Sequence, residues 1–193
     1  INALCRGAIV LLSARVEAYV KEGGEVALDA MHAKHGPRAR LSPRVFYYAS
    51  KSILDEIQDT DDPDKIAAKV FSFLQTEGAL WSKTGPLPTP IDADCFSKGF
   101  SNPAYSKVSA YFGRFGYTDY SRDLGRLLRA RYSATTNMIN HLVETRNNIA
   151  HGDPGATKTP DELHDMMILT RLFCRSTDSV FASWCGSTLC RIR

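Results

Sequence analysis

The sequence lacks an apolar run long enough to cross a bilayer, which takes about 20 residues in a helix. The most hydrophobic stretch, Ala8 to Leu12, is soon interrupted by Ser13, Arg15 and Glu17. We therefore expect no membrane-spanning segment and no membrane partner. The first residue is Ile1 rather than Met, and we expect the chain to have been trimmed, processed or cut from something longer.

Paired cysteines are missing as well. The five cysteines are an odd number and contain no CxxC pair. Cys185 and Cys190 lie close together, but no histidine stands beside them at zinc-ligand spacing, so we predict no metal site there. The simplest interpretation is free thiols in a reducing compartment, and we expect a cytoplasmic protein.

Two further kinds of site have no counterpart in the sequence. It contains no glycine-rich phosphate loop and no nucleophile elbow around a serine, so we expect neither a bound cofactor nor covalent catalysis. Of the 193 residues, 44% are hydrophobic and 23% are charged, which predicts one soluble domain over residues 1–193. A net charge of +3 permits an anionic partner but does not identify one.

Helical signals dominate the rest of the sequence. Apolar residues repeat about every 3.6 positions, and Ser42-Pro43, Asp62-Pro63, Asn102-Pro103 and Thr159-Pro160 each join a capping residue to a proline, which typically begins a helix. We predict an all-α bundle of five or six helices. The predicted ranges are 2–33 with an end or bend at Gly23-Gly24, 43–58, 63–76, 104–115, 121–151 with a break near Tyr132, and 160–184.

Two apolar stripes and one connector complete the predicted fold. Residues 85–102 are rich in Pro, Gly, Ser and Asp and carry no periodic signal, so we predict a long connector there, either a functional loop or a plain insertion. The stripe of the first helix is predicted at Leu4, Ala8, Leu11, Leu12, Val16, Tyr19 and Val20, and that of the third at Ile66, Val70, Phe73 and Leu74.

The segment RNNIAHG, residues 146–152, carries the chemistry. It places a permanent cation, two amides and an imidazole within about two helical turns, with a rise of ~7.5 Å from Arg146 to His151. Arginine holds phosphate through a planar fork of donors, and histidine exchanges protons near neutral pH. These groups suit metal-free cleavage of RNA by its own 2′-hydroxyl, with Asn147 orienting His151 or donating to a phosphate oxygen.

The spacing in this segment also sets a geometric problem. Five positions on an ideal helix separate Arg146 and His151 by about 140°. Either the helix ends at Ala150 and swings His151 round, or a second copy of the helix supplies the missing group across a two-fold axis. On the residues alone, an ordinary C-terminal helix cap with Gly152 at its end is a third interpretation.

Several segments resemble one family. RNNIAHG is similar to the signature of the HEPN superfamily, in which Arg, a polar residue, a short spacer and His end a helix. The first helix, with Glu17 before Tyr19, resembles the opening of stand-alone bacterial HEPN proteins of the RiboL-PSP-HEPN type. SNPAYSKVSAYFGRFG at 101–116 and LVETRNNIAHGD at 142–153 resemble the middle and end of the same group.

The resemblance implies an all-α homodimer joined through the motif helices and, in active members, metal-independent RNA cleavage in defence, toxin-antitoxin or RNA-processing systems. An antitoxin or a nucleotidyltransferase is an implied partner. By the same resemblance, Arg146 would bind the scissile phosphate, His151 would transfer protons, and Asn147 would be the polar residue after the arginine. Glu17 would orient Arg146 or His151, although a plain salt bridge explains it equally.

Two further groups have two interpretations each. Arg122, Arg126 and Arg129 recur at helical spacing and either track an RNA backbone or form a solvated face with nearby aspartates. The tyrosines Tyr117, Tyr120 and Tyr132 either stack on bases or pack in the interior. At the level of the whole chain, an endoribonuclease and a non-catalytic binding module both remain open.

Overall fold

A computed structural model describes residues 2–192 of the chain. The regular secondary structure of these residues is helical. They contain no β-strand and only one isolated bridge, between Pro37 and Pro86, so the all-α prediction is confirmed. None of the described helices is both long and apolar enough to cross a membrane. The helices are α1 (Asn2–Ala33), α2 (Pro43–Ala49), α3 (Lys51–Gln58), α4 (Pro63–Trp81), α5 (Ala93–Ser97), α6 (Tyr105–Arg114), α7 (Tyr120–Leu128), α8 (Tyr132–Ala150) and α9 (Pro160–Thr188).

Three of the four predicted helix starts with a proline are confirmed, at Ser42, Asp62 and Thr159. Ser42 and Asp62 each accept backbone N–H groups from the first turn of the helix that follows. At the start of α9, Thr159 Oγ1 accepts the N–H of Glu162 at 3.2 Å, and a Glu162 carboxylate oxygen accepts the N–H of Thr159 at 2.8 Å. This reciprocal pair satisfies two N–H groups that a helix leaves without internal partners.

Nine helices lie within residues 2–192, more than the five or six predicted. The predicted helix over 43–58 is divided at Ser50, whose hydroxyl donates to Glu77 and accepts from Trp81. Residues 85–102, predicted as a connector without regular structure, contain α5 and bury Leu87 and Phe96. Five residues are too few to show a helical period, so burial rather than pattern marks this helix.

The predicted apolar stripe of α1 is partly wrong. Val16 and Val20 are buried as expected, but Leu4 is 79% exposed and Leu11 is 66% exposed. The buried side passes instead through Cys5 and Ile9, one position along the helix. In α4 no residue is fully buried, and Val70 and Leu74 of its predicted stripe are exposed.

Helices α1, α8 and α9 pack against one another and form the central part of the fold. The Tyr19 hydroxyl of α1 lies 2.6 Å from an Asp178 carboxylate oxygen and 2.7 Å from the Cys174 carbonyl, both on α9. Burial and the hydrogen bond to Asp178 raise the pKa of the Tyr19 hydroxyl well above its ordinary value. It therefore remains a proton donor, and it ties the middle of α1 to α9.

The bend predicted at Gly23-Gly24 is wrong, because α1 continues without a break to Ala33. Gly24 serves close packing instead. A Cβ atom there would lie 2.3 Å from the Tyr111 hydroxyl and 2.8 Å from the Phe115 ring, whereas one on Gly23 would meet nothing within 4 Å. The absent side chain at Gly24 therefore lets α6 approach α1.

We expect Gly24→Ala to lower the free energy of unfolding by about 1–3 kcal/mol, because the added methyl group overpacks the contact with Tyr111. Gly23→Ala is the matched control and should raise stability by up to about 1 kcal/mol, because alanine favours the helix. Urea unfolding followed by circular dichroism measures both values. Equal effects of the two substitutions would contradict the close packing at Gly24.

Candidate active site at the end of helix α8

Helix α8 carries the RNNIAHG segment and ends within it. The N–H of Gly152 donates to the carbonyl of Ile149 at 3.1 Å, and the N–H of Asp153 donates to that of Asn148 at 3.0 Å. Gly152 has a φ of +81°, a conformation that favours glycine. These two bonds form a Schellman cap, so the predicted role of Gly152 in ending the helix is confirmed.

The Arg146 guanidinium is half-buried and bound by neutral groups. Its Nη1 donates to Asn102 Oδ1 at 3.2 Å and to Asn147 Oδ1 at 3.1 Å. Among residues 2–192 no carboxylate oxygen lies within 4 Å of this guanidinium. The two amides orient the cation without neutralising its charge.

Asn102 connects Arg146 to Glu17. Its backbone N–H donates to Glu17 Oε2 at 3.2 Å, while Glu17 Oε1 forms an ion pair with Lys21 at 2.8 Å. Glu17 thus makes a salt bridge, the second of its two interpretations, and its connection to Arg146 runs only through Asn102; that it orients Arg146 or His151 stays a prediction. No hydrogen bond joins Glu17 directly to Arg146 or His151 within the described part of the chain.

The sequence pattern had assigned Asn102 to a different role, as the cap of α6, and this prediction is wrong. The N-cap of α6 is Ala104, and the N–H of Tyr105 is bound by Asn140 Oδ1 of α8 at 2.9 Å. Asn102 itself has a φ of +52°, a conformation that asparagine tolerates better than most residues. This tolerance is the one signal in the sequence that sets Asn102 apart. The sequence gives no sign of its contact with Arg146, because the two residues are 44 positions apart.

His151 is exposed and stands at the C-cap of α8. Its φ and ψ are −82° and 4°, and its N–H still donates to the Asn147 carbonyl at 2.9 Å. The backbone therefore follows the helical path through His151 and does not swing it toward Arg146. No side-chain hydrogen bond of His151 is found among residues 2–192.

The loop after the motif is held by Arg6 of α1, a residue that sequence reasoning missed. Arg6 Nη1 donates to the carbonyls of Asp153 and Ala156 at 2.7 and 3.2 Å. Asp153 Oδ1 accepts the N–H of Gly155 at 2.8 Å, which forms a turn directly after the motif. Nothing local in the sequence marks Arg6, because its partners lie about 150 positions away.

The arginine run upstream lies apart from the motif. Arg122 forms ion pairs with Asp119 at 2.7 Å and Asp123 at 3.3 Å, and Arg126 lies 3.6 Å from Asp123. Arg129 precedes the start of α8, and α8 rises about 21 Å between its first residue, Tyr132, and Arg146. Within one subunit these arginines do not meet the motif.

The three tyrosines singled out in the sequence and the five cysteines are buried or partly buried. Tyr117 and Tyr120 are buried, and the hydroxyl of half-buried Tyr132 lies 3.0 Å from that of Tyr105, so packing explains all three predicted tyrosines. All five cysteines are free thiols, as predicted. Burial raises the pKa of the Cys174 thiol to about 12, which keeps it protonated and unreactive.

We expect Arg6→Ala to loosen the loop behind the motif, because the carbonyls of Asp153 and Ala156 lose their donor. Backbone amides of residues 152–157 should exchange faster with solvent, and unfolding should cost about 1–3 kcal/mol less. Hydrogen-deuterium exchange with mass spectrometry measures the first effect. Arg15→Ala, an exposed arginine on the same helix, is the control, and equal exchange in both variants would refute the role of Arg6.

Comparison with known proteins identifies the family of this chain. The family model described as RiboL-PSP-HEPN matches residues 1–183, a range that runs from α1 into the last part of α9 and includes the RNNIAHG segment. No curated protein and no solved structure matches the chain. Since the match covers far more than half of the sequence, the protein belongs to the RiboL-PSP-HEPN family of the HEPN superfamily.

Proposed function

We propose that the protein is a metal-independent endoribonuclease whose reacting groups are Arg146 and His151. The observation that carries this proposal is the half-buried Arg146 guanidinium, which only neutral amides hold. Partial burial of a cation without an acidic partner costs stability. A phosphate group would complete its coordination through charge-assisted hydrogen bonds.

In this proposal the RNA supplies its own nucleophile. The 2′-oxygen forms a bond to the adjacent phosphorus while the bond from phosphorus to the 5′-oxygen breaks, which leaves a 2′,3′-cyclic phosphate and a 5′-hydroxyl. One imidazole accepts the 2′-hydroxyl proton, and an imidazolium returns a proton to the leaving oxygen. Arg146 stabilises the charge that develops on the phosphate oxygens, and Asn147, Asn102 and Glu17 position Arg146.

The assembled site is proposed to form across a homodimer. His151 continues the helical path, so the separation of about 140° from Arg146 within one chain remains. A two-fold axis supplies a second histidine for the second proton transfer. Leu4 and Leu11, seven positions apart on one side of α1, are exposed; exposed apolar side chains of this kind suit a partner surface.

Membership of the RiboL-PSP-HEPN family supports a proposal for the biological setting. We propose a cytoplasmic enzyme of a defence, toxin-antitoxin or stress system, with an antitoxin or nucleotidyltransferase as partner.

One observation favours a second candidate, a non-catalytic binding module. The Schellman cap gives Gly152 and the end of α8 a purely structural purpose, and His151 has no described partner that would orient its ring.

His151→Ala is expected to abolish RNA cleavage in the presence of EDTA, because it removes both imidazoles from the dimer. A loss of at least about 100-fold is expected for removal of a general acid or base. His164→Ala changes another exposed histidine and should leave the rate unchanged. Gel analysis of a labelled RNA, with the cyclic phosphate identified by mass spectrometry, provides the measurement, and activity that depends on a divalent ion would rule out this mechanism.

Leu11→Asp is expected to convert the dimer to monomers and to abolish cleavage, because it places a charge in the proposed interface. Leu74→Asp, on the 59% exposed Leu74 of α4, is the matched control and should change neither property. Analytical ultracentrifugation and the same cleavage assay measure both. A monomer that still cleaves RNA at the wild-type rate would disprove the composite site.

A further inference from the structure

A groove lies between α2 and α6, and no residue of the RNNIAHG segment lines it. Its volume is about 610 Å³, within the range of about 300–1,000 Å³ that small-molecule sites occupy. The side chains that face it include a cation, two phenol rings and two hydroxyls. They are Arg44, Tyr47, Tyr48, Ser106 and Ser109.

The Tyr47 ring is exposed yet held in place. It is 40% exposed, and the ring of Tyr48 meets it edge to face, with 5.2 Å between centroids and 81° between planes. Lys51 Nζ lies 5.4 Å from the Tyr47 centroid and is bound to Asp55 at 2.7 Å. An exposed aromatic ring that is already ordered loses little conformational freedom when a flat ligand stacks on it.

Arg44 provides a cation beside this ring. Its Nη1 donates to the Gly113 carbonyl at 3.1 Å. This bond holds the guanidinium against α6. Within residues 2–192 no carboxylate oxygen lies within 4 Å of the Arg44 guanidinium, so its charge is available to an anion.

The groove approaches the candidate site through the start of α6. Ser106, which lines one end, follows Tyr105, and the Tyr105 N–H is bound by Asn140 of α8. Asn140 precedes Arg146 by six residues, a rise of about 9 Å along the helix. A chain bound at Arg146 therefore reaches this end of the groove within a few nucleotides.

We infer that the groove binds an unpaired RNA segment next to the scissile linkage, with a base stacked on Tyr47 and a phosphate on Arg44. The inference rests on the proposed ribonuclease function. Stacking on an aromatic ring requires a base that is not already stacked in a duplex. The groove accordingly makes the enzyme selective for single-stranded RNA at this position.

The test measures binding of a fluorescent single-stranded RNA whose 2′-hydroxyls are methylated, so that cleavage plays no part. Tyr47→Ala should weaken binding about tenfold, whereas Tyr47→Phe, which keeps the ring, should bind within about twofold of wild type. Phe71→Ala is the matched control, because Phe71 is 67% exposed on α4 outside the groove. Fluorescence anisotropy gives the dissociation constants, and circular dichroism checks that each variant is folded.

A second variant tests the phosphate contact. Arg44→Gln should reduce the slope of log K against log salt by about 0.7, the value for one phosphate contact on a single strand. Equal affinity of wild type and Tyr47→Ala, or an unchanged salt slope for Arg44→Gln, would refute RNA binding in the groove. Cleavage of RNA by the wild type would in that case still support the proposed nuclease function. Binding that depends on Tyr47 in a protein that never cleaves RNA would support the groove and refute the nuclease.

Discussion

The burial of one side of α8 against α1 and α9 is the constraint on which the candidate site depends. Leu142, Val143 and Thr145 face the interior, which leaves Arg146 half-buried and His151 at the surface. Since a helix is rigid over this length, the positions of these two side chains follow from which neighbours are buried. The site is therefore a consequence of packing along the whole helix, and a change of register in α8 would move every group of the motif.

The arginines differ in what they contact, and these contacts distinguish the arginines that stabilise the fold from those that could bind a ligand. Arg6 binds backbone carbonyls and closes the loop behind the motif. Arg122 and Arg126 face aspartates, so much of their charge is compensated. Arg146 has only neutral amide partners, which fix its direction and leave its field intact. An anion approaching this end of α8 therefore meets Arg146 as an oriented, uncompensated cation.

Local signals in the sequence predicted the parts of the fold that local chemistry determines. The helix starts at Ser42, Asp62 and Thr159 and the stop at Gly152 each depend on residues within four positions, and all four are confirmed. The all-α class followed from periodicity in the same way. The short α5 escaped prediction because it is stabilised by burial of Phe96 and not by a repeating pattern.

The remainder of the site depends on contacts between distant segments, which a single sequence does not encode in any local pattern. Asn102 reads as a helix cap until α8 is placed beside it, and Arg6 reads as a surface residue until the loop after Gly152 reaches it. Leu4 and Leu11 show the opposite error, since apolar side chains were assigned to the core although they face solvent.

The exposure of Leu4 and Leu11 bears on how the proposed homodimer assembles. A helix with more apolar side chains than its own core buries has a second surface available for contact, and on α1 this surface includes Leu4 and Leu11. Because Arg146 and His151 diverge within one chain, the proposed site requires a second copy of the motif, and in our proposal the partner that covers Leu4 and Leu11 is the second copy of the chain that supplies it. A single contact would then remove exposed apolar surface and complete the set of reacting groups, so stability of the dimer and assembly of the proposed site would be two results of the same burial.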